Sequence, residues 1–252
     1  MVTLKALVDY TNTLLSIDSF SDYCPNGLQV EGRQAVTKLV SGVTASMALI
    51  DAAIEAEADA LIVHHGYFWK GEDACITGMK RKRIQRLLSS ETSLIAYHLP
   101  LDGHTELGNN AQLALKLGIE PQGNFGDDDG LKLAMLGQLP HPMTALDLGE
   151  LITERLGRAP LHIHGGAADI SRVGWCTGAA QSYIESAATQ GLDAFISGEI
   201  SEQTVHSARE LGIHYFSAGH HATERYGIQA LGDYLAAQFS LQHQFIDIDN
   251  PV

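Results

Sequence analysis

The chain has 252 residues, 45% of them hydrophobic, and a formal net charge of −14. That length and apolar content provide for a substantial buried core, in one large domain or in two lobes of ordinary size. The acidic balance repels a phosphate backbone, and no apolar run approaches the roughly 20 residues of a membrane helix, so broad nucleic-acid binding and membrane spanning are both disfavoured.

In chain order, MVTLKALVDYTNTLL spaces apolar residues helically around Lys5 and Asp9, which predicts a helix over 3–16 rather than a signal peptide. Cys24, Cys75 and Cys176 are far apart and form no CxxC pair, which argues against a disulfide framework or thiolate zinc site and fits a reducing cytoplasm. A strand, KLVSGV at 38–43, leads into a helix and a second strand within 43–65. A basic helix over 80–90 follows, and its Lys80-Arg81-Lys82-Arg83 cluster reads as a solvated face, with an anionic ligand or a neighbouring subunit as alternatives. SLIAYH at 93–98 is the next strand.

The Gly/Asp-rich stretch from Gly123 to Gly130 has turn chemistry and no periodicity, and it divides the chain into lobes 1–125 and 126–252. Beyond it come a helix over 144–157, the strand RVGWCT at 172–177, a helix-to-strand segment at 177–199, a helix at 201–212 and the strand IHYFSA at 213–218. A helix over 223–239 and the strand HQFIDI at 243–248 then close the second lobe.

Segments 43–65 and 177–199 align without a gap: Ile50, Asp59, Ala60 and Ile62 meet Ile184, Asp193, Ala194 and Ile196. Such self-similarity marks a duplicated unit. Strands alternating with helices make the fold α/β, with two similar lobes built on mainly parallel sheets.

Ligands of parallel sheets gather beyond the carboxyl ends of the strands. Four loops qualify, and they carry His64-His65, His98 to Asp102, Ser197-Gly198-Glu199 and Gly219-His220-His221 to Glu224. Where the chain turns at a strand end, His64 and His65 can each reach a different ion of a pair. His220 and Glu224 stand four residues apart, on one face of a first helical turn, and Asp102 offers a hard oxygen able to bridge two cations. Mixed imidazole and carboxylate donors suit two divalent ions of iron, zinc, manganese or nickel. His98, His221 and Glu199 lie in the same loops as orienting groups or proton carriers.

His162 and His164 alternate on one face of a strand, a spacing that can also bind metal, although a half-exposed edge strand explains it equally well. His104, His141, His206, His214 and His243 read as surface or capping residues. GxxxxGK[ST], GxGxxG after a strand and GxSxG are missing, which excludes P-loop nucleotide hydrolysis.

With these motifs in view, the chain resembles the GTP cyclohydrolase I type 2 homologue family, dinuclear metal proteins of the YbgI type related to the Ngg1-interacting factor. The likeness runs end to end through DYCPNGLQVEG at 22–32, SGVTAS at 41–46, DALIVHHGYFWKGE at 59–72, YHLPLDGHTELGNN at 97–110, SGEISEQTVHSARE at 197–210 and AGHHATERYGI at 218–228. It implies metal ligation by His64, His65, Asp102, His220 and Glu224, a site in the cleft between the lobes, and a homohexameric ring. The expected function is metal-dependent hydrolysis of a nucleotide-like or related small molecule. The alternatives are non-catalytic metal storage or delivery, a ring-shaped scaffold, and a protein-interaction module.

Overall fold

The computed structural model describes residues 1–126, 132–166 and 169–252. Its contacts divide the chain into two compact units, Met1–Gly108 with Gly227–Asp249, and Asn109–Tyr226 with Asn250–Val252.

The first unit holds β1 (Val2–Thr3), α1 (Leu4–Leu14), β2 (Gly27–Val30), β3 (Ala35–Val36), β4 (Lys38–Thr44), α2 (Met47–Glu55), β5 (Ala60–His65), α3 (Gly78–Ser90), β6 (Ser93–Ala96) and α4 (Leu99–Gly103). Helix α1 starts where the Thr3 side chain accepts from the Ala6 amide, and it buries Leu4, Leu7, Val8 and Thr11 along one stripe. Strands β4, β5 and β6 pair in parallel, and β2 adds antiparallel to β6. Alternate residues of these buried strands face opposite layers. Leu39, Val43, Ile62 and Ile95 pack with Leu4 and Leu7 of α1 on one side, whereas Val40, Leu61 and Leu94 pack with Leu49, Ile50 and Leu87 of α2 and α3 on the other. Arg86 of α3 pairs with Asp51 at 2.8 Å and Lys80 with Glu72 at 2.9 Å.

The second unit carries α5 (Asn109–Leu117), β7 (Glu120–Phe125), β8 (Ala134–Thr144), α6 (Ala145–Leu156), β9 (Leu161–Ile163), β10 (Asp169–Cys176), α7 (Ile184–Thr189), β11 (Ala194–Ser197), α8 (Glu202–Leu211) and β12 (His214–Ser217). A Thr144/Asp147 capping box opens α6, and Gly157 closes it in the left-handed region. The repeat predicted from sequence is visible in the parallel trio β10, β11 and β12, the counterpart of β4, β5 and β6. Around this trio the sheet is mixed, in the order β7-β8-β10-β11-β12-β9, with antiparallel pairs at both ends.

The last elements, α9 (His220–Phe239) and β13 (Gln242–Phe245), depart from the sequence reading. Strand β13 pairs in parallel with β4, from Gln242 opposite Lys38 to Phe245 opposite Ser41, so it completes the first sheet instead of closing the second lobe. Contacts assign α9 to the second unit through Tyr226 and to the first from Gly227. The boundary near 125 is likewise corrected: the chain changes unit after Gly108, and Glu120–Phe125 is an edge strand against β8. Gly123 lies inside that strand; residues 127–130 of the stretch, which include its aspartates, lie outside the described residues. His243 is no surface residue either, because its Nε2 and Nδ1 engage Ser41 Oγ at 2.8 Å and Asp233 Oδ1 at 2.7 Å.

Candidate metal centre

In the first unit, β5 ends on His64, fully buried, and His65, half-buried. His64 Nδ1 lies 2.9 Å from the Tyr97 carbonyl oxygen. A carbonyl only accepts, so Nδ1 carries the proton and the lone pair sits on Nε2. That Nε2 is 3.5 Å from Oδ1 of Asp102, itself buried in the short helix α4. His65 Nδ1 is hydrogen-bonded to Thr44 Oγ1 at 3.0 Å.

His98 precedes α4, and its Nδ1 donates to Asp22 Oδ1 at 2.9 Å. The Asp22 carboxylate also accepts from the Leu99 amide and from Asn26 Nδ2, both at 2.9 Å, while Asn26 Oδ1 receives the His98 amide at 2.7 Å. Burial pushes the Asp22 pKa up, but the bonds from His98, Asn26 and Leu99 outweigh it and hold it at about 2. Donor nitrogens of His64, His65 and His98 fall within 4.8 Å of one another, the compactness a metal ion requires. Tyr23 and Trp69 stand edge-on to the His98 ring, at 5.2 and 5.0 Å between centroids.

In the second unit, β12 runs through Gly219, at φ +99°, into α9. His220 Nδ1 donates to Glu199 Oε1 at 2.7 Å, and its Nε2 meets Glu224 Oε2 at 3.1 Å one helical turn on. Burial disfavours a charge on His220, yet the Glu224 and Glu199 carboxylates prevail and raise its pKa to about 9. Gly178, at φ +67°, backs Glu224 so closely that a Cβ there would collide with Oε1. The Gly178 amide donates to Thr223 Oγ1 at 3.1 Å, which locks the loop after β10 onto α9. His221 is buried, and its amide donates to the Val252 carbonyl at 3.0 Å.

The two donor sets are built alike. Each has an imidazole at a helix start, a carboxylate four residues later, and a second carboxylate holding Nδ1 so that Nε2 is presented (His98, Asp102 and Asp22 in one; His220, Glu224 and Glu199 in the other). Carboxylate-held imidazole is the usual outer-shell arrangement around a ligating histidine. His64, His65 and His98 come together in the first unit, with Asp102 beside His64, and His220, Glu199 and Glu224 come together in the second. Asp22, Asn26 and Gly178 were missed. The Asp22/Asn26 spacing in DYCPNG was the available signal, but nothing local ties it to His98.

The family model Duf34/NIF3 (NGG1p interacting factor 3) matches residues 2–251. The chain belongs to this family. Its relatives include a Vibrio cholerae protein, 59% identical with 99% of this chain and 98% of that one covered, and a Pseudomonas aeruginosa protein, 54% identical with 99% of each covered. Both are named GTP cyclohydrolase 1 type 2 homolog. A solved structure described as protein ybgI, unknown function, superposes with a TM-score of 0.96 at 52% identity over the whole of both chains. The Duf34/NIF3 membership thus agrees with the resemblance carried by the sequence strings, and the α/β architecture is that of solved relatives. No helix among the described residues is long and apolar enough to cross a membrane.

Proposed function

We propose that His64, His65, Asp102, His220 and Glu224 hold a pair of divalent cations and that the chain is a metal-dependent hydrolase of a nucleotide-like or related small molecule. The observation that carries this reading is the placing of His64 Nε2 beside the Asp102 carboxylate. The His64 Nδ1 is committed to the Tyr97 carbonyl, so the Nε2 lone pair faces the Asp102 carboxylate at 3.5 Å, an arrangement that asks for a cation. A cation pair supplies Lewis acidity and an acidified water. The chain's own residues supply the rest: Asp22 and Glu199 fix the His98 and His220 rings, His98 serves as a further donor or proton carrier, His221 as a proton carrier, and Tyr23 and Trp69 offer aromatic edges beside the donors. The name of the relatives supports a nucleotide-like substrate, and we propose the cytoplasm as the location and a homohexameric ring as the working assembly.

The test is elemental analysis of untagged protein alongside the Asp102→Ala, Glu224→Ala double variant, with a nucleotide and phosphoester screen on both. Up to two ions per chain in the parent, lost in the double variant together with turnover, supports the reading. Unchanged metal content in the double variant overturns the ligand assignment. Metal bound without turnover of any screened compound favours storage or a scaffold, the second reading that mixed imidazole and carboxylate donors permit.

A further inference from the structure

Strand β9 lies at the edge of the second sheet, antiparallel to β12, with His162 opposite Phe216 and Ile163 opposite Tyr215. One step further the register brings His164 across from His214. Residues two apart on a strand share a face, and directly opposed residues share it too, so His162, His164 and His214 all project to one side of the pleat. The geometry agrees. The His164 and His214 rings are 4.9 Å apart, His162 and His214 stack at 5.2 Å, and His162 Nε2 lies 3.0 Å from His214 Nδ1. One donor nitrogen from each ring falls within 4.8 Å of the others. His214, read from sequence as a surface or capping residue, is 1% exposed. Phe216 stacks on His162 at 4.5 Å and 11°, fixing that ring in its plane. Beyond His164 the chain packs closely on the second unit, since a Cβ at Gly165 would collide with the Ala208 and Ile213 carbonyl oxygens.

We propose that His162, His164 and His214 form a second cation site, separate from the candidate centre and selective for a late first-row divalent ion of the copper(II) or nickel(II) class. His214 opens β12, whereas His220 follows its carboxyl end, so the two sites occupy opposite ends of this strand. Three imidazoles make a borderline-soft donor set, which suits late transition metals rather than magnesium or calcium. Within the first-row divalent series an imidazole set binds nickel(II) and copper(II) most strongly. The His162 ring is also disposed to be neutral: burial, then the neighbouring His214 and His164, press its pKa below the ordinary value.

The experiment is a copper(II) titration of metal-stripped full-length protein, read by electron paramagnetic resonance. It compares the parent, His164→Gln, His162→Gln and the Asp102→Ala, Glu224→Ala double variant. His164 is exposed, so its substitution spares the core. The expected result is a copper signal with nitrogen hyperfine structure from several imidazoles that persists in the double variant at one copper per chain, with the copper held at this site bound at least tenfold more weakly by His164→Gln and His162→Gln. A copper signal unchanged in His164→Gln, or one that disappears in the double variant alone, overturns the proposal.

Discussion

Oε1 of Glu199 accepts a hydrogen bond from Nδ1 of His220 at 2.7 Å, and this pair decides which nitrogen His220 presents toward Glu224. Of the two roles open to Glu199, orienting group or proton carrier, this contact favours the first. Outer-shell partners of ligating histidines are typically worth about 10- to 100-fold in metal affinity. Glu199→Gln, which keeps an acceptor but removes the charge, should weaken metal binding by about 10-fold with an unchanged melting temperature in the metal-free protein. Competition titration against a chromophoric chelator reads the affinity, and a change under about twofold contradicts the role.

Gly178 combines a left-handed backbone with close packing on Glu224. Gly178→Ala therefore meets two penalties, about 1–2 kcal/mol for the backbone and displacement of the Glu224 carboxylate. The expected outcome is a lower melting temperature together with metal loss, measured by thermal denaturation and elemental analysis. An alanine variant with parental metal content shows that the Glu224 position is not constrained by this contact.

Asp59 accepts from the Thr37 amide at 2.8 Å, the Thr37 hydroxyl at 2.7 Å and the Lys38 amide at 2.9 Å, and pairs with Arg33 at 3.1 Å. Burial alone would raise its pKa, but these donors and the Arg33 charge hold it below the ordinary carboxylate range. A carboxyl depressed in the folded state contributes stability above its unfolded pKa of about 3.9, and that contribution is lost as pH falls through the lower folded value. Asp59→Asn should therefore cost about 1–3 kcal/mol at neutral pH and a diminishing amount below pH about 4. Denaturant melts from pH 7 to about 3 test this; a pH-independent difference removes the charge from the explanation.

The cysteines offer a check on the fold. Burial, followed by the neighbouring Asp22 charge, pushes the Cys24 thiol up to about 12, and Cys176 is buried, whereas Cys75 is exposed. The thiolate is the reactive form. A thiol reagent at neutral pH should label Cys75 rapidly and the other two only on unfolding, as peptide mass analysis will show. Rapid labelling of Cys24 in native protein is incompatible with its burial beside Asp22.

Much of this architecture is legible locally. The 3.6-residue and continuous apolar periods reveal α1, α6 and the parallel trios, because burial of a helical stripe or a central strand demands them wherever the segment lies. The repeat brings out Asp59 and Asp193, and both perform one task, since Asp193 also accepts from two amides, Ser171 at 2.9 Å and Arg172 at 2.8 Å. The strand-end rule singles out the loops that carry the imidazoles and carboxylates of the candidate centre, because loops at carboxyl ends converge whatever their sequence.

Other features depended on partners distant in the chain. An edge strand such as Gln242–Phe245 carries no mark of which sheet it will join, so only the pairing with β4 places it in the first unit. Nothing near His98 or His220 in sequence announces that Asp22 and Glu199 will accept hydrogen bonds from their Nδ1 atoms, across separations of 76 and 21 residues. His214 looked ordinary until the antiparallel register of β9 set His162 and His164 on its face. Composition and period determined the elements and the donor types, since those follow from burial and chain geometry within a segment. Tertiary structure alone decided which nitrogen each imidazole presents and which histidines meet, since hydrogen-bond partners and strand neighbours are chosen by packing across the whole unit.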